Sequence, residues 1–196
     1  MILWLALILA AVLFRTATPH LDGLANFAPL MAITLCASIY LPRKVALLVP
    51  LSTLLISDLI LNHHYQSPLF QPFMFATYAC YIAAGFLGLW IATKKNLWTI
   101  LGGCLASTAL FYLVTNSLAW ISNPLYAPTL AGWFQALTLG LPGLPPTYTF
   151  LRNSLLSDLT FTALFVASME WQASKNGLPH LPLFHFISTP KPKLEA

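Results

Sequence analysis

Residues 73–93 read FMFATYACYIAAGFLGLWIAT, a run of 21 residues without a single charge. At about 1.5 Å per residue such a helix rises ~31 Å, which matches the hydrocarbon core of a bilayer. Pro72 precedes the run and Lys94 and Lys95 follow it, so it has a start and a stop. The same texture recurs on both sides. Upstream lie Ile2–Phe14, Phe27–Leu41 and Val45–Leu61, and downstream lie Leu97–Trp120 and Phe150–Trp171. These runs are continuous rather than alternating, which argues for helices and against a membrane β-barrel. The reading is an all-α integral membrane protein, a six-transmembrane-helix bundle. Residues 1–188 form its single domain, and residues 189–196 form a short cytoplasmic tail.

Composition excludes other classes. Of 196 residues 58% are hydrophobic and 7% are charged, where a soluble domain carries about 25% charged residues. A soluble globule and a disordered chain are both ruled out. The net charge of +4 is scattered between apolar runs, so it gives no nucleic-acid surface. No Gly-rich phosphate loop, His-Glu-x-x-His or nucleophile elbow is present, so the chain has no ATP-hydrolysing part of its own.

Basic residues set an orientation. Arg43, Lys44, Lys94, Lys95, Lys175, Lys191 and Lys193 fall on one side, and Arg15 and Arg152 on the other. The larger group marks the cytoplasm and puts both termini inside, in a bacterial inner membrane. Trp90, Trp98 and Trp171 then lie near the inner interface, and Trp120 and Trp133 near the outer one. The longest connection, Ile121–Thr149, faces outward. It is uncharged and Pro-rich, and its middle, Thr129–Leu141, reads as a short helix on the membrane face. It is either a lid over a cavity or an ordinary interfacial loop.

Ionisable and amide groups inside apolar runs are costly and usually face a cavity or a partner. Here they are Asp58, Asn116 and Asp158, with Asn26 opening the second run and Arg152 and Asn153 near the start of the sixth. By the rise of a helix, all fall in the outer half. A pocket open to the outside needs polar groups in one half only, whereas a pore needs them throughout. The alternative for each Asp is a structural role, capping a neighbouring helix or pairing with Arg152. A Leu-rich similarity between residues 51–59 and 151–159, sharing Ser-Asp-Leu, hints at an inverted duplication.

Cys36, Cys80 and Cys104 all lie inside runs, which gives no disulfide framework. Cys36 and Cys104 read as packing residues. Cys80 lies in the outer half on a small-residue face with Ala76, Ala83, Ala84 and Gly88, flanked by Tyr78 and Tyr81. Such a face either packs a helix closely or lines space for something bulky, and a thiol there can act as a soft metal ligand. His20, His63 and His64 read as outer-loop residues, and His180 and His185 as tail residues.

Six short helices, an outward-facing pocket and no motor resemble the substrate-binding S-components of energy-coupling-factor (ECF) vitamin transporters. The Ala6-Leu-Ile-Leu-Ala10 step resembles the Ala-xxx-Ala pattern that, in those proteins, faces the membrane-embedded coupling subunit. Asn26-Phe-Ala-Pro29, Leu55-Ile-Ser-Asp58, Thr115-Asn116 with Trp120, and Leu151-Arg-Asn-Ser-Leu-Leu-Ser-Asp158 resemble a bacterial family of S-component-like membrane proteins. With Cys80, the chain is most similar to the solitary cobalamin (vitamin B12) transporters of that group. The resemblance implies capture of cobalamin from the outer side, with Cys80 as axial ligand of the corrinoid cobalt. Asn26, Tyr78, Tyr81, Asp58, Asn116, Arg152 and Asp158 are then pocket candidates. A thiolate entering an axial position displaces the group already there, so loss of cyanide from the upper face would accompany transport. The competing classes are an integral-membrane enzyme with Cys80 as nucleophile, an S-component for another vitamin or small metabolite, and a structural subunit docking through its small-residue faces.

Overall fold

The computed structural model describes residues 9, 12–17, 21, 23–177 and 181. All regular structure among them is helical. Residues 12–17 are helical and precede α1 (Leu30–Tyr40), α2 (Arg43–Ala46), α3 (Leu48–His64), α4 (Pro72–Ile91), α5 (Leu97–Ser122), α6 (Leu130–Leu137) and α7 (Thr147–Lys175). A short 3₁₀ turn, Ala92–Lys94, ends α4.

Among the described residues three stretches are long and apolar enough to cross a membrane: Arg43–His64, Pro72–Lys94 and Leu97–Ser122. The sixth run is also a long helix, but α7 carries Arg152, Asp158, Glu170 and Lys175. The second run is shorter as a helix than its apolar stretch. Pro29 precedes α1, and Leu41 is extended (φ −89°, ψ 157°) because Pro42 follows it. The 11 residues of α1 rise only about 16 Å.

Prolines punctuate the other helices too. Pro50 cannot donate to the carbonyl four residues back and crowds it, and α2 gives way to α3 at Leu47, three residues before it. Pro72 opens α4 at its first turn, where no N–H is needed. Asn96 caps α5, its Oδ1 accepting from the Thr99 N–H at 2.9 Å. His63 and His64, expected in an outer loop, form the last turn of α3 instead. That is a favourable end for such side chains in the helix dipole.

α1 is the centre of the bundle. Residues 30–39 are all buried, including Thr34 and Ser38, and α1 packs on α3, α4, α5 and α7. A helix that is apolar all round belongs inside. The small-residue face of α4 serves this packing at its C-terminal end. A Cβ on Gly88 would lie 2.7 Å from Ser38 Cβ and 2.8 Å from the Leu35 carbonyl oxygen. Gly103 of α5 likewise meets Ile91.

Basic residues gather at one end. Lys95 Nζ lies 3.7 Å from the centre of the Tyr40 ring, Lys175 Nζ 3.8 Å from Trp171 and Lys94 Nζ 5.4 Å from Trp90. Burial holds Lys95 below the ordinary lysine range, partly offset by the nearby Glu170 carboxylate. The connection between α5 and α7 lies at the opposite end and is tied to α5. Trp133 Nε1 donates to Ser117 Oγ at 2.9 Å, Trp120 Nε1 to the Ala127 carbonyl at 2.9 Å, and the Tyr112 hydroxyl to the Leu137 carbonyl. Leu125, Leu130, Leu139 and Leu144 in it are exposed.

Gly88→Ala should therefore destabilise the bundle by about 1–3 kcal/mol through overpacking. Gly102→Ala, with open space where its Cβ would go, should be neutral or stabilising by up to about 1 kcal/mol. Thermal unfolding of the two variants in the same detergent checks the contrast.

Candidate binding site

At the end opposite the basic cluster a polar cavity of about 360 Å³ opens between residues 12–17, α3, α4, α5 and α7. Arg15, Asn26, Asp58, Asn62, Gln71 and Asn116 supply its polar wall, with Thr77 and Thr115 deeper in. Each arrives for a local reason. Asn26 sits at φ +62°, a left-handed conformation that asparagine tolerates better than most residues. Ser154 Oγ donates to its carbonyl at 3.2 Å. Asn116 Nδ2 donates back to the Tyr112 carbonyl at 2.8 Å. Asn62, Gln71 and Met74 form a connected wall: Gln71 Nε2 donates to Asn62 Oδ1 at 3.4 Å, and the Gln71 N–H to Met74 Sδ at 3.3 Å.

Arg15 organises the cavity electrostatically. Its Nη2 lies 2.6 Å from Asp58 Oδ1, and its Nη1 donates to Ser57 Oγ. The pair is partly exposed to the cavity, its side chains 20% and 11% accessible, so water there screens it in part. The Tyr78 hydroxyl lies close to the same Asp58.

Two further hollows adjoin the cavity. A small one, about 80 Å³, shares Arg15, Asn26 and Phe111 with it and reaches Tyr81, Thr108, Ser154 and Asp158. Phe111 and Tyr81 pack edge to face, with ring centres 5.7 Å apart. The other, about 360 Å³ and apolar, lies between α3 and α4 beyond Gln71 and Met74. Leu55, Phe70, Phe75 and Tyr78 line it.

The structure thus brings Asn26, Asp58 and Asn116 into one cavity, Tyr81 and Asp158 into the adjoining small hollow, and Tyr78 into the apolar one. It leaves two candidates out. Arg152 is exposed and donates to Asn153 Oδ1 at 3.2 and 3.3 Å, and Asn153 in turn ties down the Gly23 and Ala25 carbonyls. Cys80 is buried, at 5% exposure, and lines none of the three hollows. It lies one helical turn inward of Thr77, on the same face of α4. No residue of the α5–α7 connection lines any of these three hollows, and its hydrogen bonds brace it on α5.

Neither Asp pairs with Arg152. Asp58 pairs with Arg15, while Asp158 takes the capping role. Its Oδ1 accepts from the Ala32 N–H at 3.3 Å, and its Oδ2 lies 2.7 Å from Thr108 Oγ1. Cys36 and Cys104 are buried in the core near Thr162, whose hydroxyl is 3.4 Å from Cys104 Sγ. Ala6, Ala10, His20, His180 and His185 lie outside the described residues.

The chain belongs to DUF6580, a family of unknown function whose model matches residues 1–181. No curated protein and no solved structure matches it. In this DUF6580 chain no group of three or more His, Cys, Asp or Glu among the described residues could hold a metal ion.

Sequence reasoning missed Arg15, Asn62, Gln71 and Thr77 as wall residues. Arg15 left one signal: it is one of only two basic residues at its end of the chain's topology. The others are ordinary loop or helix polar residues, and only helix register reveals which way they face.

The ion pair makes a prediction. Arg15→Met and Asp58→Asn should each destabilise the protein by about 1–3 kcal/mol, because each leaves a half-buried charge without its partner. The double variant Arg15→Met/Asp58→Asn should be less destabilised than the sum of the two. Unfolding midpoints of the three variants measure this coupling.

Proposed function

We propose that this chain is a multi-pass inner-membrane transport protein that captures cobalamin from the outer side and moves it inward. In this reading six segments cross the membrane and both termini are cytoplasmic. The observation that carries it is the convergence of polar side chains from five segments on one cavity at the end away from the basic cluster. Asn26, Asn62, Gln71 and Asn116 offer amide donors and acceptors, which suit the carboxamide fringe of a corrin. The cavity is of a size that small-ligand sites commonly have, so as it stands it holds an edge of the macrocycle. The apolar hollow across Gln71 and Met74 supplies adjacent room for the ring.

Cys80 is the proposed axial ligand of the corrinoid cobalt. A soft thiolate suits that metal, and the sulfur lies one turn below the cavity wall at Thr77. To reach it, the ligand has to deepen the cavity by that turn. Where cyanide occupies the upper face, the thiol proton leaves with it as the cobalt–sulfur bond forms.

Growth on cobalamin of a strain lacking its own importer, with and without this chain, tests the function. Corrinoid absorbance of the purified protein tests the ligand. Cys80→Ala should fold normally, lose the cobalt–sulfur band and bind at least about tenfold more weakly, a change of roughly 1.4 kcal/mol. Cys36→Ala and Cys104→Ala should keep both. Parent-like binding by Cys80→Ala would make Cys80 a packing residue.

A further inference from the structure

Asp158 has a geometry that the capture of a solute does not use. It is 2% exposed, yet it lines the small hollow that shares Arg15, Asn26 and Phe111 with the outer cavity. Its partners suit both protonation states. As a carboxylate it accepts from the Ala32 N–H and from the Thr108 hydroxyl. As a carboxylic acid it can donate to Thr108 Oγ1, and the Thr108 hydroxyl can turn to the Cys104 carbonyl, 3.0 Å away. No buried group need be orphaned in either state.

Polar groups continue inward from there. Thr162 is one turn along α7, with its hydroxyl against Cys104 Sγ at 3.4 Å and beside Cys36. Tyr40 is one turn beyond Cys36 on α1, close to Glu170 and under Lys95 at the basic end. Buried carboxylates that join helices inside a membrane are recurrent proton carriers.

We propose that Asp158 binds a proton from the outer hollow and that the chain moves this proton inward together with its solute. The inference rests on the transport reading above. The proton comes from outer water, neutralises the carboxylate, and leaves toward the inner face when the carboxylate re-forms, so one positive charge enters per cycle with a neutral solute. Protonation weakens the charge-assisted tie to the Ala32 N–H and so loosens α1 from α7. The titratable or charged groups around Asp158 are Arg15, Asp58 on α3, Cys36 on α1, Tyr81 on α4 and Cys104 on α5.

Asp158→Asn keeps an acceptor for Ala32 and a polar partner for Thr108 but cannot cycle a proton. In infrared spectra of the purified protein, acidification should raise a protonated-carboxyl band that Asp158→Asn lacks. In proteoliposomes, an inside-alkaline pH gradient should speed cobalamin uptake by the parent several-fold. Asp158→Asn should bind cobalamin but take it up at one rate with or without the gradient, and Asp158→Glu should restore the dependence. A carboxyl band unchanged in Asp158→Asn, parent uptake indifferent to the gradient, or gradient-driven uptake by Asp158→Asn would each overturn the proposal. If the parent does not bind cobalamin, the solute reading fails, and the infrared comparison still upholds or overturns the proton site.

Discussion

α1 begins inside the protein. Its first N–H groups point into the bundle, and Pro29 has no side chain to cap them. An unpaired buried N–H costs about 1–3 kcal/mol, so a partner must come from elsewhere. Asp158 supplies one from 126 residues away, and Thr108 braces the other carboxyl oxygen. This tie joins α1, α5 and α7 at one level of the bundle. The helix at its centre is apolar over nearly its whole surface and gains by burial from every neighbour. The carboxylate fixes where that helix starts.

The site follows from that start. Because α1 is short, residues 23–29 fold into the cavity end of the bundle rather than running on as helix. Asn153 holds the Gly23 and Ala25 carbonyls and Ser154 holds that of Asn26, so α7 positions this turn from below. The space above α1 is walled by α3, α4 and α5, and Arg15 with Asp58 closes one side. At the basic end the same helices approach closely through Gly85, Gly88 and Gly103. One bundle thus has a tight end and an open end.

Much of this was legible in the sequence. Uninterrupted apolar runs gave the helices, and the sites of Asn26, Asp58, Asn116 and Asp158 in the outer parts of those runs gave the polar end. The partners were not legible. Asp58 with Arg15 and Asp158 with Ala32 and Thr108 are contacts between distant segments, and a threonine in an apolar run carries no mark of which neighbour it will meet. The other half looked empty of polar groups for the same reason: Thr162 and Cys104 are small and compatible with an apolar helix, and only packing brings them together. The connection between α5 and α7 was legible only as two alternatives, a lid or an ordinary interfacial loop. Its freedom from charge suits either, and the hydrogen bonds of Trp120, Tyr112 and Trp133 that tie it to α5 join distant positions.

The central claim is that the polar cavity opens to the outer face of the membrane. Asn116→Cys, in a chain whose Cys36, Cys80 and Cys104 are replaced by Ala, puts one thiol on its wall. A membrane-impermeant maleimide should label that thiol in right-side-out spheroplasts and leave it unlabelled in inverted vesicles. Labelling only in inverted vesicles would place the cavity on the cytoplasmic side and contradict the account.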